Sequence, residues 1–193
     1  NQDVLDYVSK RAVRPYEVQD TDPGFAYGES HVFDVSGMEP QLACPHSVDN
    51  VDTLAHVTAN REIKLNQGYI GSCTGGREED IAVAARIVKG RHIPPYSRLV
   101  VVPASSEVML SCMEKGYIQD LMNAGATITT PGCGACLGAH EGIIAPGETC
   151  ISSTNRNFPG RMGSNQASIY LASPATVAAS IINGRITDPR DYL

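Results

Sequence analysis

From residue 68 onward the sequence alternates between short apolar runs of strand length and stretches of helical period, which leaves few architectures open. GYIG at 68–71 reads as a short buried strand. Beyond the turn SCTGG, Ile81, Ala84, Ala85 and Val88 recur at i, i+3, i+4 and i+7 and predict an amphipathic helix. Glu78, Glu79 and Asp80 sit in its first turn, where negative charge suits the helix dipole, and Gly90 ends it. RLVVVPA at 98–104 is a continuous apolar run of the kind found in sheets covered on both faces. Ser105 can cap a helix reaching about Lys115, YIQDLMNAG predicts another ending at Gly125, and ATITT alternates like a strand. TCISST predicts a further strand, after which the chain enters the polar loop NRNFPGRMG. A last helix starts with Ser173 as cap and Pro174 at its first position, and ends at Asn183-Gly184. Strands alternating with helices predict an α/β fold: a three-layer α/β/α domain with a largely parallel sheet. We expect one domain over residues 1–193, with a more irregular, polar N-terminal segment over 1–65.

In such sheets ligands gather where loops leave the carboxyl ends of strands. SCTGG, PGCGAC and STNRNFPGR each follow a predicted strand, so all three can open onto one sheet edge. Residues far apart in sequence would meet there.

Cys133 and Cys136 form a C-x-x-C pair preceded by Pro-Gly and interleaved with Gly and Ala. Small residues let the backbone bend tightly and approach a bulky inorganic group. The pair alone is compatible with a zinc half-site, a redox dithiol or an iron–sulfur half-site. A redox dithiol belongs at a helix start soon after a first strand, an order that does not precede this pair. Zinc is the better rival, because Cys73, Cys133, Cys136 and His140 would make a Cys₃His set with acceptable spacing. Against it, Cys73 has no second ligand nearby, whereas structural zinc sites usually have one. A lone distant third thiolate better suits a cubane held by three cysteines with one iron left open. Cys112, within a helix, and Cys150, in a strand, read as packing residues; Cys44, in ACPHSVDN, is less clear-cut. GCGACLG has the wrong glycine spacing for a dinucleotide loop.

Asn155, Arg156 and Arg161 share one glycine-containing loop. In an arbitrary loop two arginines would simply be solvated. Beside three cysteines the planar guanidinium fork acquires a use, since it grips carboxylates in bidentate fashion.

Composition narrows the function classes further. The net charge of −6 argues against a nucleic-acid-binding surface spread over the chain. No stretch approaches the roughly 18 apolar residues that span a bilayer, and the first residues lack a signal-peptide core. Six cysteines are too few for a disulfide scaffold at 193 residues, so free thiols or metal ligands in a reducing cytoplasm are expected. The chain begins with Asn, which suggests processing or a piece of a longer protein.

EPQLACPHSVDNV, YIGSCTGGREEDI, TTPGCGACLGAHEG, CISSTNRNFPGRMG and YLASPATVAASIINGRI occur in an order that resembles the aconitase superfamily. The resemblance is to the cluster-binding C-terminal domain of the large subunit of the isopropylmalate isomerase (3-isopropylmalate dehydratase) and homoaconitase type. It implies a [4Fe–4S] cluster with Cys73, Cys133 and Cys136 each on one iron, the fourth iron being open to substrate. It also implies that Asn155 lies close to the cluster and that Arg156 and Arg161 serve substrate binding and active-site support. The implied reaction is reversible dehydration and rehydration of a hydroxy polycarboxylic acid: 3-isopropylmalate first, with homoaconitate, dimethylmaleate or a citrate-type acid as alternatives. The implied partners are a small, swivel-domain subunit and the upstream large-subunit domains, without which the chain would not turn over.

The sequence departs from the family in one motif. Gly75 stands where the family usually has the Asn of SCTN. A non-catalytic zinc- or cluster-binding module remains the alternative from another class.

Overall fold

The computed structural model describes all 193 residues, which divide into two compact units, Asn1–Gly37 and Met38–Leu193. The first unit has one helix, α1 (Gln2–Ser9), whose N-terminal Val4 amide is capped by the Asn1 side chain. No residue of that unit is buried, and Val13 and Phe33 are among its exposed apolar side chains.

The second unit is built on a seven-stranded sheet. In chain order its strands are β1 (Gln41–Ala43), β2 (Val51–Thr53), β3 (Gln67–Gly71), β4 (Arg98–Val102), β5 (Thr127–Ile128), β6 (Thr149–Ser152) and β7 (Ser168–Leu171). They lie in the order β2-β1-β7-β6-β3-β4-β5; β7 through β5 run parallel, while β1 is antiparallel to both neighbours. The α/β fold with a largely parallel sheet is therefore present. Three strands escaped the sequence reading. β1 and β2, with the short α2 (Leu54–Thr58), lie inside the segment expected to be irregular, and β7 follows the polar loop directly. β1 and β2 have three residues each and carry no apolar run that stands out from the polar segment around them.

The parallel strands are apolar on both faces. Along β4, Leu99 and Val101 face one core while Val100 and Val102 face the other, as the period of two requires. The helices α4 (Glu78–Val88), α5 (Ser106–Glu114), α6 (Tyr117–Asn123) and α7 (Pro174–Asn183) all pack into the first core. Their starts follow local chemistry: Ser105 caps α5 through the Val108 amide, and Ser173 caps α7 through the Thr176 amide. No α-helix covers the second core. It is covered by Ala135, Cys136, Ile144, Met162 and Ala167, from the segments that connect β5 to β6 and β6 to β7.

The connection rule explains this division. Right-handed crossovers put connections running one way across a sheet on one face and those running the other way on the opposite face. The chain builds outward from β3 through β4 to β5, then returns to start β6 on the other side of β3. The reversal sends the Cys133 and Arg161 segments to the second face and makes the β3/β6 boundary a topological switch point.

A polar network pins the returning segment. Both terminal nitrogens of Arg98 donate to the Glu148 carboxylate, at 2.7 and 2.6 Å, and Arg98 Nε donates to Gln67 Oε1 at 2.6 Å. The fully buried Gln67 in turn donates to the Gly142 carbonyl at 2.7 Å. The Arg98 hydrogen bonds hold the Glu148 carboxyl below its usual range, against the opposing effect of burial. A depressed carboxyl stabilises the fold above its unfolded pKa, and that contribution is lost as the pH falls through the folded value. Glu148→Gln should therefore cost about 1–2 kcal/mol at neutral pH, the lower part of the range for charge-assisted bonds because Arg98 is partly solvated. In thermal melts the gap from the parent should close once the pH falls below about 4.3 and through the folded value. A gap that stays constant from neutral to acid pH would remove the role assigned to this ion pair.

Candidate functional site

The loops leaving β3 and β6 meet at the switch point. Cys73 lies in the single-turn α3 (Ser72–Gly75), immediately after β3, and is exposed. Its neighbour Ser72 is buried with φ of 62°, and its hydroxyl has no hydrogen-bond partner. A left-handed backbone and an unsatisfied buried hydroxyl at one residue are both costly, a combination that clusters at functional sites.

Cys133 and Cys136 bracket the start of a 3₁₀ turn, Gly134–Leu137, which the Cys136 amide closes by donating to the Cys133 carbonyl at 2.9 Å. Cys133 is exposed and Cys136 buried. The turn is held from beneath by Tyr69 of β3, whose hydroxyl donates to the same Cys133 carbonyl at 2.9 Å. Burial, reinforced by the Cys136 sulfur, pushes the Tyr69 pKa up, so the group remains a protonated donor.

The loop after β6 carries the remaining candidates. Asn155 and Arg156 are exposed, and Arg156 Nη1 donates to the Asn155 carbonyl at 2.9 Å. Arg161 turns inward: its Nη2 lies 3.8 Å from Cys136 Sγ, its guanidinium sits over the Phe158 ring, and its buried Nε has no partner. Asn157 is almost fully buried and donates to the Cys44 carbonyl at 2.8 Å, tying this loop to the segment after β1.

The structure thus brings Arg161 to Cys136 and places Cys73, Asn155 and Arg156 on neighbouring strand ends. Arg156 bonds the neighbouring Asn155 carbonyl rather than a cysteine, and His140 pairs with Glu141 at 3.4 Å. Cys112 and Cys150 are fully buried in the two cores, and burial raises their thiols to about 11 and about 12 respectively. Cys44 is half-buried and also pushed up by burial. All six cysteines are free thiols.

Free thiols at Cys73, Cys133 and Cys136 and unpartnered buried donors beside them are chemistry that an iron–sulfur group could use. No three His, Cys, Asp or Glu side chains gather closely enough to hold one metal ion. An iron–sulfur cluster spreads its thiolates over different irons and welcomes donors toward its sulfurs. The unpartnered Ser72 hydroxyl and Arg161 Nε are buried donors of that kind.

Tyr69 and Ser153 also shape the site, and sequence reading passed over both. Tyr69 left one weak signal, a polar tip inside a buried strand. Ser153 left none, because a serine in a polar loop is unremarkable until its neighbours in space are known.

The family model described as the aconitase family (aconitate hydratase) matches residues 3–184. Over 186 residues the chain is 47% identical to the probable methanogen homoaconitase large subunit of Methanosarcina mazei, covering 96% of this chain and 46% of that protein. It is 46% identical over 187 residues to the 3-isopropylmalate dehydratase large subunit of a Hydrogenobaculum species, covering 97% and 43%. With 3-isopropylmalate dehydratase large subunit 2 of Archaeoglobus fulgidus it shares 50% identity over 167 residues, covering 86% and 39%. The chain spans less than half the length of these relatives. A family match across nearly every residue, with both cysteine loops inside it, leads to one conclusion: this chain belongs to the aconitase family.

Proposed function

We propose that this chain is the cluster-binding domain of a [4Fe–4S]-dependent hydro-lyase that interconverts isomers of a hydroxy polycarboxylic acid, with 3-isopropylmalate as substrate. The observation that carries the reading is that the Cys73 turn continues β3, the Cys133–Cys136 turn is bonded to Tyr69 of the same strand, and Arg161 is turned onto Cys136. Cys73, Cys133 and Cys136 would hold the cluster. When bound, it supplies an iron without a protein ligand, a Lewis acid that polarises the leaving hydroxyl.

The chain's own residues contribute binding and orientation. Arg156 is exposed at the mouth of the site and offers a bidentate fork to a substrate carboxylate. Arg161, stacked over Phe158 and directed at Cys136, is better placed to carry positive charge against the cluster side of the site. Asn155, beside Arg156, can hydrogen-bond the substrate. None of these groups is a plausible base for the carbon-bound proton. Such a base would come from outside this chain, as would a small subunit and further large-subunit domains. The relatives named large subunits support that arrangement. No helix is long and apolar enough to cross a membrane, and we place the working assembly in the cytoplasm.

Anaerobic reconstitution with iron and sulfide tests the reading. A brown protein with about four irons and four sulfides per chain supports it; a colourless protein holding one tight zinc replaces it with a structural module. Turnover with the completing domains and subunit then decides the substrate: hydration of homoaconitate with no dehydration of 3-isopropylmalate would exclude 3-isopropylmalate.

A further inference from the structure

Ser153 joins the Cys73 turn to the Asn155–Arg156 loop through a latch that depends on the absence of a side chain at residue 75. Its hydroxyl accepts from the Gly71 amide at 3.1 Å and donates to the Gly75 carbonyl at 3.1 Å, so one oxygen grips both ends of the turn that presents Cys73. The Ser153 amide donates to the Tyr69 carbonyl at 2.9 Å, which continues the β3–β6 pairing into the latch. A Cβ on Gly75 would fall within contact distance of both Ser153 Oγ and the Ser153 carbonyl oxygen, and 2.8 Å from Ser153 Cβ. The glycine is the space the serine occupies.

The placement gives the latch a role beyond local stability. Gly71 is the last residue of β3 and Gly75 the last of α3, so Cys73 lies midway between the two bonded groups. Ser153 itself is two residues before Asn155 and three before Arg156. The Ser153 hydroxyl is therefore the side-chain link that ties the Cys73 turn to the loop proposed to receive substrate, beyond the β3–β6 pairing itself. Tyr69 performs the matching task for the other cysteines, by bonding the Cys133 carbonyl from the same strand.

We propose that Ser153 is a positioning residue: with Gly75 it fixes Cys73 relative to Asn155 and Arg156, and so sets the geometry in which the first cysteine meets the cluster. This deepens the proposed function and rests on it for the cluster.

The test compares Ser153→Ala, Ser153→Thr and Ser153→Val with the parent in the full chain. Each is reconstituted anaerobically, challenged with an iron chelator and examined by electron paramagnetic resonance after reduction. Ser153→Thr should match the parent. Ser153→Ala and Ser153→Val should hold iron about 10–100-fold more weakly, the usual cost of losing a residue that orients a metal ligand. Their resonance should also differ from that of the parent. Val and Thr have the same shape, so if Ser153→Ala does not fold, that pair alone isolates the hydroxyl.

Equal iron retention and an identical resonance in Thr and Val would overturn the proposal. Amide hydrogen exchange at Gly71 in the cluster-free chain separates this failure from failure of the functional reading. If the parent takes up no iron, the hydro-lyase reading falls. The latch then stands on a roughly tenfold faster Gly71 exchange in Val than in Thr, the size of one ordinary hydrogen bond. Unchanged exchange would remove it.

Discussion

Replacing Cys73 with serine should abolish assembly of the iron–sulfur cluster, whereas Cys112→Ser should leave it intact. The two positions carry the same side chain in opposite surroundings. Cys73 is exposed on a one-turn helix at the end of β3, on the sheet edge where the Cys133–Cys136 turn also lies. Cys112 is fully buried in α5 within the helix-covered core, where desolvation raises its pKa to about 11 and keeps it a neutral thiol. Serine at 73 removes a soft thiolate and puts a poor iron ligand in its place. Serine at 112 substitutes a hydroxyl in an apolar cavity and should cost about 1–3 kcal/mol of stability, without touching the site. Iron and sulfide analysis with visible absorption reads both. Near-zero iron in the first variant and about four in the second is the expected pair. Equal iron in the two variants would remove Cys73 from the ligand set.

Gly75→Asn, which installs the residue that the family resemblance leads one to expect there, should damage this protein. The new Cβ would meet the Ser153 hydroxyl and also its backbone carbonyl, and a backbone atom cannot be moved aside as a flexible side-chain tip can. Separating the two loops breaks the Ser153 bonds to Gly71 and Gly75. Overpacking of this kind costs about 2–3 kcal/mol, a fall of roughly 5–10 °C in melting temperature for a domain of this size. Iron uptake should drop at the same time. Thermal melts and iron analysis of Gly75→Asn beside Gly90→Asn provide the measurement, because nothing lies within 4 Å of a Cβ built on Gly90. Gly90 has φ of 72°, a conformation asparagine tolerates better than most residues, so its cost should be small. If the two variants lose equal stability, crowding at residue 75 is not the cause.

The sequence alone determined the elements whose signals are local. A helical period with acidic first-turn residues marked α4, Ser105 marked the start of α5, and Ser173-Pro174 marked α7. The unbroken apolar run at 99–102 announced a strand covered on both faces, and alternation with helices announced the parallel sheet. The three cysteines and the arginine loop could be selected by residue type and by resemblance. Which of them meet could not be read in that way. Arg161 rather than Arg156 approaches Cys136, and His140 turns to Glu141, because loop paths over the second face depend on strand order. Strand order, in turn, depends on pairings such as Gly68 with Ile151, separated by more than eighty residues. The same long-range pairing gave Ser153 its two partners and made Gly75 a requirement of space rather than a missing side chain. Propensity and period act within a turn or a strand, so they specify elements. Contacts across the switch point act between elements, and only packing the whole sheet decides them.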